Sequence, residues 1–352
     1  MGRKLLCLAF LIILLPLQAR DVDFRQEEVT FESSGVVLSG TLTVPAQGSG
    51  FPALVMITGG GNRNRDAQRG RFRPFKLIAE YLSPRGIAVL RYDDRGIGKS
   101  TGEKSLGGTL DDFKDDALAA VGYLRSRDDL SVTRIGLMGH CAGVYAALKA
   151  ASESKEVDFI VSMAGCGMSG EETILKETRE VLARRGRPES DIVELQALRK
   201  KLFEVVRTDQ GWEDIEARIR EFVRKRYDRM SEEARAKYED FDDFFPRTYD
   251  SSYIEYAKNA YIRHFFSVNP IPLYENFRRP ILLLFGGKDT SVAPKYHEPP
   301  IREALVKAGN TDYAVAVIPE ADHYFVKDWK TGRFAPGFLT ALGEWLEKQI
   351  KD

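Results

Sequence analysis

Two kinds of hydrophobic pattern divide this chain. Near its start, residues 28–32 and 36–44 alternate apolar and polar positions around Ser33-Ser34-Gly35. That alternation predicts an antiparallel hairpin with one covered face. Further on, the alternation gives way to short unbroken apolar runs at 53–57, 87–92, 135–138, 159–163, 281–285 and 314–318. Such runs suit strands buried on both faces of a parallel sheet. Amphipathic stretches at 75–82, 110–124, 144–151 and 301–308 separate most of them, and another at 334–350 closes the chain. The alternation predicts an α/β fold: a mostly parallel, doubly wound sheet preceded by antiparallel strands.

One interval breaks this rhythm. About a hundred residues from Gly167 to His264 carry no strand pattern. Ser190 is placed to cap a helix whose apolar face is Ile192, Leu195, Leu198, Leu202 and Val206, and Ile215, Ile219 and Phe222 repeat the spacing. The interval reads as a helical cap inserted after a strand. The expected organisation is a core from 20–166, a cap at 167–264 and the rest of the core at 265–352. Aromatic residues crowd the end of the cap, among them Phe241, Phe244, Phe245, Tyr249, Tyr253, Tyr256, Tyr261 and Phe265. They either line an apolar acyl pocket or fasten the cap to the core.

Residues 1–19 read as a secretory leader. Arg3 and Lys4 precede an apolar run at 5–15, and Pro16-Leu17-Gln18-Ala19 suits cleavage. Eleven apolar residues fall short of the roughly 20 needed to span a bilayer, although the large Leu17 leaves an uncleaved anchor as the alternative. The expectation is a secreted or periplasmic protein with no stable membrane insertion after cleavage near Ala19. Removing the leader takes away two basic residues and no acidic ones, leaving 50 against 52. There is no basic excess to hold nucleic acid. Two cysteines would remain, Cys141 and Cys166.

Cys141 carries the chemistry. It occupies Gly139-His140-Cys141-Ala142-Gly143, after an apolar run and before a helical pattern. This is a Gly-x-nucleophile-x-Gly turn with sulfur where serine usually stands. The glycines permit a tight turn, and a helix N-terminus behind a thiol favours its anion. A nucleophile of this kind needs a base and an orienting acid. Of the four histidines, His323 follows the last apolar run and can reach the same sheet edge. Asp289, in Gly286-Gly287-Lys288-Asp289, follows the preceding run and is the expected acid, with Asp322 as alternative. The oxyanion needs backbone donors. Ala142 and Gly60, within Thr58-Gly59-Gly60-Gly61-Asn62, are the expected pair.

These segments, with Arg91-Tyr92-Asp93-Asp94-Arg95-Gly96-Ile97-Gly98-Lys99-Ser100, resemble the α/β-hydrolase superfamily, near bacterial secreted esterases and serine aminopeptidase-type hydrolases. The 93–100 loop is expected to be structural. The family usually has serine at the turn. A cysteine there is similar to dienelactone hydrolases and polyester synthases, which implies an activated acyl group in an ester, thioester or lactone. The expected partner is a small acyl substrate. No cofactor is called for, and the oligomeric state is left open.

Two decoys fail. Gly98-Lys99-Ser100 lacks the first glycine of a phosphate loop, since position 93 is aspartate. Gly59-x-Gly61 lacks a third glycine at position 64, which is asparagine. The histidines and cysteines have no metal-ligand spacing. Two readings rival the hydrolase: an acyltransferase using the same residues, and a non-catalytic or redox-locked relative with a Cys141–Cys166 disulfide.

Overall fold

The computed structural model describes residues 23–60, 62–103, 108–248 and 257–350. The expected leader, Gly61, Tyr249, Tyr253 and Tyr256 lie outside these residues. Strands β1 (Phe24–Ser33) and β2 (Val36–Pro45) form the expected hairpin, with Ser33 opposite Val36. Then β3 (Ala53–Ile57), α1 (Pro74–Leu82), β4 (Ala88–Tyr92), α2 (Leu110–Arg125), β5 (Ile135–His140), α3 (Gly143–Glu153) and β6 (Phe159–Met163) follow in alternation.

After β6 the described chain is helical, through α4 (Gly170–Arg184), α5 (Glu189–Thr208), α6 (Trp212–Asp228), α7 (Phe241–Thr248) and α8 (Ala260–Ser267), with short turns of helix at Glu232–Arg235 and Ile271–Tyr274. The alternation then resumes with β7 (Ile281–Gly286), α9 (Pro294–Lys307) and β8 (Tyr313–Ile318). A small hairpin of β9 (Val326–Asp328) and β10 (Arg333–Phe334) precedes α10 (Phe338–Gln349).

The main sheet has the order β1-β2-β4-β3-β5-β6-β7-β8. Its first two strands are antiparallel and β4 to β8 run parallel. Every residue of β3, β4, β5, β6 and β7 is buried, which is why their sequences are mostly apolar, with Arg91, His140 and Ser162 as buried exceptions. Helix α2 starts at a Thr109–Asp112 capping box and buries Phe113, Ala117, Ala120 and Leu124. Helix α3 buries a face of small residues that includes Ala146, Ala147, Ala150 and Ala151. The strand order reverses at β3, which lies between β4 and β5. The loops leaving β3 and β5 therefore meet at the carboxyl edge, where a crevice forms in sheets of this kind.

Three local expectations need correction. Helix α5 begins at Glu189 with Pro188 at its N-cap position, so Ser190 lies within the first turn and caps nothing. Helix α9 starts at Pro294, well before Ile301. Pro299 and Pro300 lie inside it and hid its first half. The last helix starts at Phe338 because Phe334 belongs to β10 and Gly337 turns the chain with a left-handed φ of 88°.

Candidate active site

Cys141 stands between β5 and α3 with φ 55°, a left-handed conformation that side chains other than glycine seldom adopt. Its N–H donates to the Met163 carbonyl at 2.9 Å, tying the turn to β6. The surrounding glycines are needed for close approach. A Cβ on Gly143 would lie 2.5 Å from the Thr58 carbonyl oxygen. One on Gly59 would lie 2.2 Å from the His140 carbonyl oxygen and 2.8 Å from Cβ of Cys141. The glycine loop after β3 thus presses directly on the cysteine turn.

His323, in the loop after β8, joins the two expected partners. Its Nδ1–H donates to Asp289 Oδ2 at 2.8 Å, and the ring also hydrogen-bonds Cys141. Asp289 follows β7 and is buried. Its Oδ1 accepts from the Ser291 and Val292 N–H groups at 2.8 and 2.9 Å. One carboxylate therefore both shapes its own turn and orients the imidazole. Burial alone would raise the Asp289 pKa. The His323 N–H and the two backbone donors outweigh it and hold the group below its ordinary value.

Asp322 is turned elsewhere. It accepts from the Tyr324 and Val326 N–H groups at 2.9 Å and from the Trp329 indole at 2.6 Å. These bonds fold the loop that carries His323.

Cys141 and Cys166 are both free thiols. They stand beyond the ends of β5 and β6, which pair as neighbours. The Cys166 thiol donates to Cys141 and, with the adjacent His323 charge, pulls the Cys141 pKa well below its ordinary value against the effect of burial. The same bond and burial push Cys166 well above its own. Burial would lower His323, but the Cys141 and Asp289 charges hold it well above its usual range. Both shifts favour a thiolate facing an imidazolium, with the Cys166 S–H donating to the Cys141 sulfur.

The oxyanion candidates also meet here. Ala142 begins the turn into α3, and neither its N–H nor that of Gly60 donates to an acceptor among the described residues. Arg63 folds over Gly60, whose Cβ would lie 2.8 Å from Nε of Arg63.

The other three histidines have structural partners. His140 is buried, and its Nε2–H donates to the His323 carbonyl at 3.0 Å, with the rings 4.8 Å apart. Burial and the His323 charge push its pKa down to about 4, so it stays neutral. His297 Nδ1 accepts from the Gly167 N–H at 3.0 Å. His264 packs edge-on to Tyr145 and lies 3.9 Å from Asp111.

The sequence reading missed two supports. The 93–100 loop was expected to be structural, and Asp93 acts so, taking Arg65 by backbone and guanidinium. Asp94 reaches further. It accepts from the Thr58 hydroxyl at 2.7 Å and from the Arg63 N–H at 2.8 Å, clamping both ends of the glycine loop. The second support is Tyr261 of α8, whose hydroxyl donates to the Gly59 carbonyl. The doubled aspartate was visible in sequence, but nothing told which one faced the loop.

Of the crowded aromatics, Phe241 and Phe244 pack with Tyr227 and Tyr238 inside the helical segment. Among the described ones, only Phe265 lines the small cavity beside Cys141, with Leu110, Tyr145, Cys166 and Met168. That cavity has a volume of about 20 Å³, room for little more than one water.

An esterase of Pyrococcus furiosus superposes with a TM-score of 0.58 at 18% identity, covering 94% of this chain and 92% of its own. This is an α/β-hydrolase fold. A family model described as serine aminopeptidase S33 matches residues 70–198 of this chain. The esterase EstD of Thermotoga maritima is 26% identical over 335 residues, 92% of this chain and 68% of that protein. A Yersinia pestis protein provisionally named a carboxymethylenebutenolidase is 41% identical over 61 residues, 17% of this chain and 22% of its own.

Proposed function

We propose that this α/β-hydrolase is an exported acyl hydrolase that opens an ester, thioester or lactone through a covalent acyl–cysteine. The observation that carries the reading is the hydrogen-bonded line Asp289–His323–Cys141 ending at a strained turn. In the reaction, the Cys141 sulfur attacks the substrate carbonyl. The oxyanion forms against the Ala142 and Gly60 N–H groups. His323, kept in the Nδ1–H tautomer by Asp289, gives its Nε2 proton to the leaving oxygen or sulfur, and the C–O or C–S bond breaks. A water then enters, His323 takes its proton, and attack on the thioester frees the acid and restores Cys141. No cofactor takes part.

The similarity to proteins named as esterases supports the reaction class, and the name of the Yersinia relative supports a lactone as one form of substrate. In this reading the 167–264 helices are the cap that limits the acyl group, and residues 1–19 are a leader cleaved near Ala19. If an alcohol or amine displaces water, the same residues make an acyltransferase.

The test is peptide mass mapping after brief exposure to an activated acyl ester. The expected result is one acyl mass on Cys141, and no turnover with Cys141→Ala. Unchanged esterase activity in that variant would sink the mechanism. The contact between Cys141 and Cys166 favours one second reading, an enzyme switched off by oxidation. There the acyl mass would appear only after reduction, and a Cys141–Cys166 disulfide would be mapped before it.

A further inference from the structure

A second, much larger depression opens next to the site. It has a volume of about 920 Å³ and shares no lining residue with the cavity at Cys141. Its walls come from the segment before α1, from α1 and from the β9–β10 turn, and they are strongly basic: Arg69, Arg71, Arg73, Lys76 and Lys330 against one acid, Glu80.

Two of these cations are already compensated, Arg73 by Asp66 at 4.0 Å and Lys76 by Glu80 at 3.7 Å. Arg69, Arg71 and Lys330 are exposed and have no ion pair among the described residues. The nearby acids are engaged: Asp328 takes the Lys330 backbone N–H and Asp322 takes the Trp329 indole.

The groove also has an aromatic wall. Trp329 is 46% exposed, a large apolar surface left to solvent, and it packs edge-on against buried Phe72. It also touches Tyr324, with ring centres 5.8 Å apart. Arg69 lies over the same Tyr324, 4.2 Å from its centre. Tyr324 is the neighbour of His323, with ring centres 5.5 Å apart. The groove therefore reaches to within one ring of the group that protonates the leaving atom.

From this we infer that the groove binds the leaving-group half of the substrate, and that this half is a planar body carrying a carboxylate or phosphate. The inference rests on the acyl-hydrolase reading. It divides the substrate chemically. The tiny apolar cavity takes a compact acyl group, and the basic aromatic groove takes the anion. Guanidinium groups suit carboxylate and phosphate because they pair with two oxygens at once, and an exposed indole offers a face for stacking.

The test compares two acetyl esters of equal size, 3-acetoxybenzoate and 3-acetoxybenzamide, which differ in the charge on the leaving phenol. The enzyme is expected to favour the anionic ester in kcat/KM by about tenfold at low salt, and high salt should screen the preference away. The double variant Arg71→Ala/Lys330→Ala should bring the ratio close to one, mainly through KM. A wild-type ratio of one or below, or a preference that ignores both salt and the variant, overturns the assignment. Tight binding to vesicles of anionic lipid with no change in the ester ratio also overturns it, since the basic face would then serve a membrane. The two failures are separable. Turnover of both esters by Cys141→Ala removes the mechanism, while loss of the charge preference alone removes the groove.

Discussion

In the proposed mechanism, Cys141 would owe its reactivity to neighbours that sequence alone ranks poorly. The strongest is the Cys166 thiol, which the sequence offers only as a disulfide partner and the structure uses as a hydrogen-bond donor. Brief iodoacetamide treatment at about pH 6, where an ordinary thiol is mostly protonated, is expected to label Cys141 and spare Cys166. In Cys166→Ala the donor to the thiolate is gone, so the labelling profile of Cys141 should move to higher pH. A profile that stays put would remove Cys166 from the account.

Asp94 gives a second prediction at this scale. Burial raises its carboxyl from 3.8 to about 7, despite the bonds from Thr58 and Arg63. The folded protein thus keeps a proton that the unfolded chain has already lost above about pH 4. Stability attributable to this group falls as pH rises from about 4 to about 7 and then levels off. Denaturation midpoints of Asp94→Asn should decline less across that window than those of the wild type.

Among elements, β3 to β7 were legible because each is buried on both faces, which leaves a mostly apolar run, while β8 carries the same kind of run although it is only half-buried. Runs at 53–57 and 159–163 coincide with β3 and β6. What the sequence hid depends on contacts at a distance. The prolines of α9 broke its pattern, and β9 and β10 are too short to have one. The cysteine turn was readable as five residues, yet its fit against the β3 loop was not. That fit is tight enough to test. In Gly143→Ala the new methyl would press on the Ile57 and Thr58 carbonyls, at 2.7 and 2.5 Å, and backbone must give way. The expected cost is about 1–3 kcal/mol of stability, with a fall in kcat if the loop holds the oxyanion as proposed. A variant with wild-type melting and wild-type turnover would show that the two loops move independently.

Across the whole molecule, the site draws on loops from β3, β5, β7 and β8, so it depends on the order of the sheet more than on any one segment. The chain order of Cys141, Asp289 and His323 was enough to nominate them. Distances between segments, such as the reach of Tyr261 to Gly59 across about two hundred residues, were beyond any pattern. The sheet is tied to its helices by polar contacts as well as packing. Arg95, after β4, donates to buried Asp116 of α2 at 2.7 and 2.9 Å. Arg95→Ala strands that carboxylate and should cost about 3–5 kcal/mol, read as a lower denaturation midpoint. Arg95→Ala with Asp116→Ala removes both charges and should recover part of the loss.

The bond from Tyr261 to Gly59 makes one helix a party to two events. Helix α8 carries Phe265 over the cavity at Cys141, and the same helix holds the carbonyl of the loop that is to cradle the oxyanion. With room for about one water beside the sulfur, an acyl group larger than the void needs its walls to move, and α8, which carries Phe265, is one of them. That displacement would draw Tyr261 away and leave the cradle held only by Asp94 at its two ends. Bulky acyl groups would then be penalised twice, in entry and in turnover, so that selectivity for small ones is stricter than the size of the void alone would set.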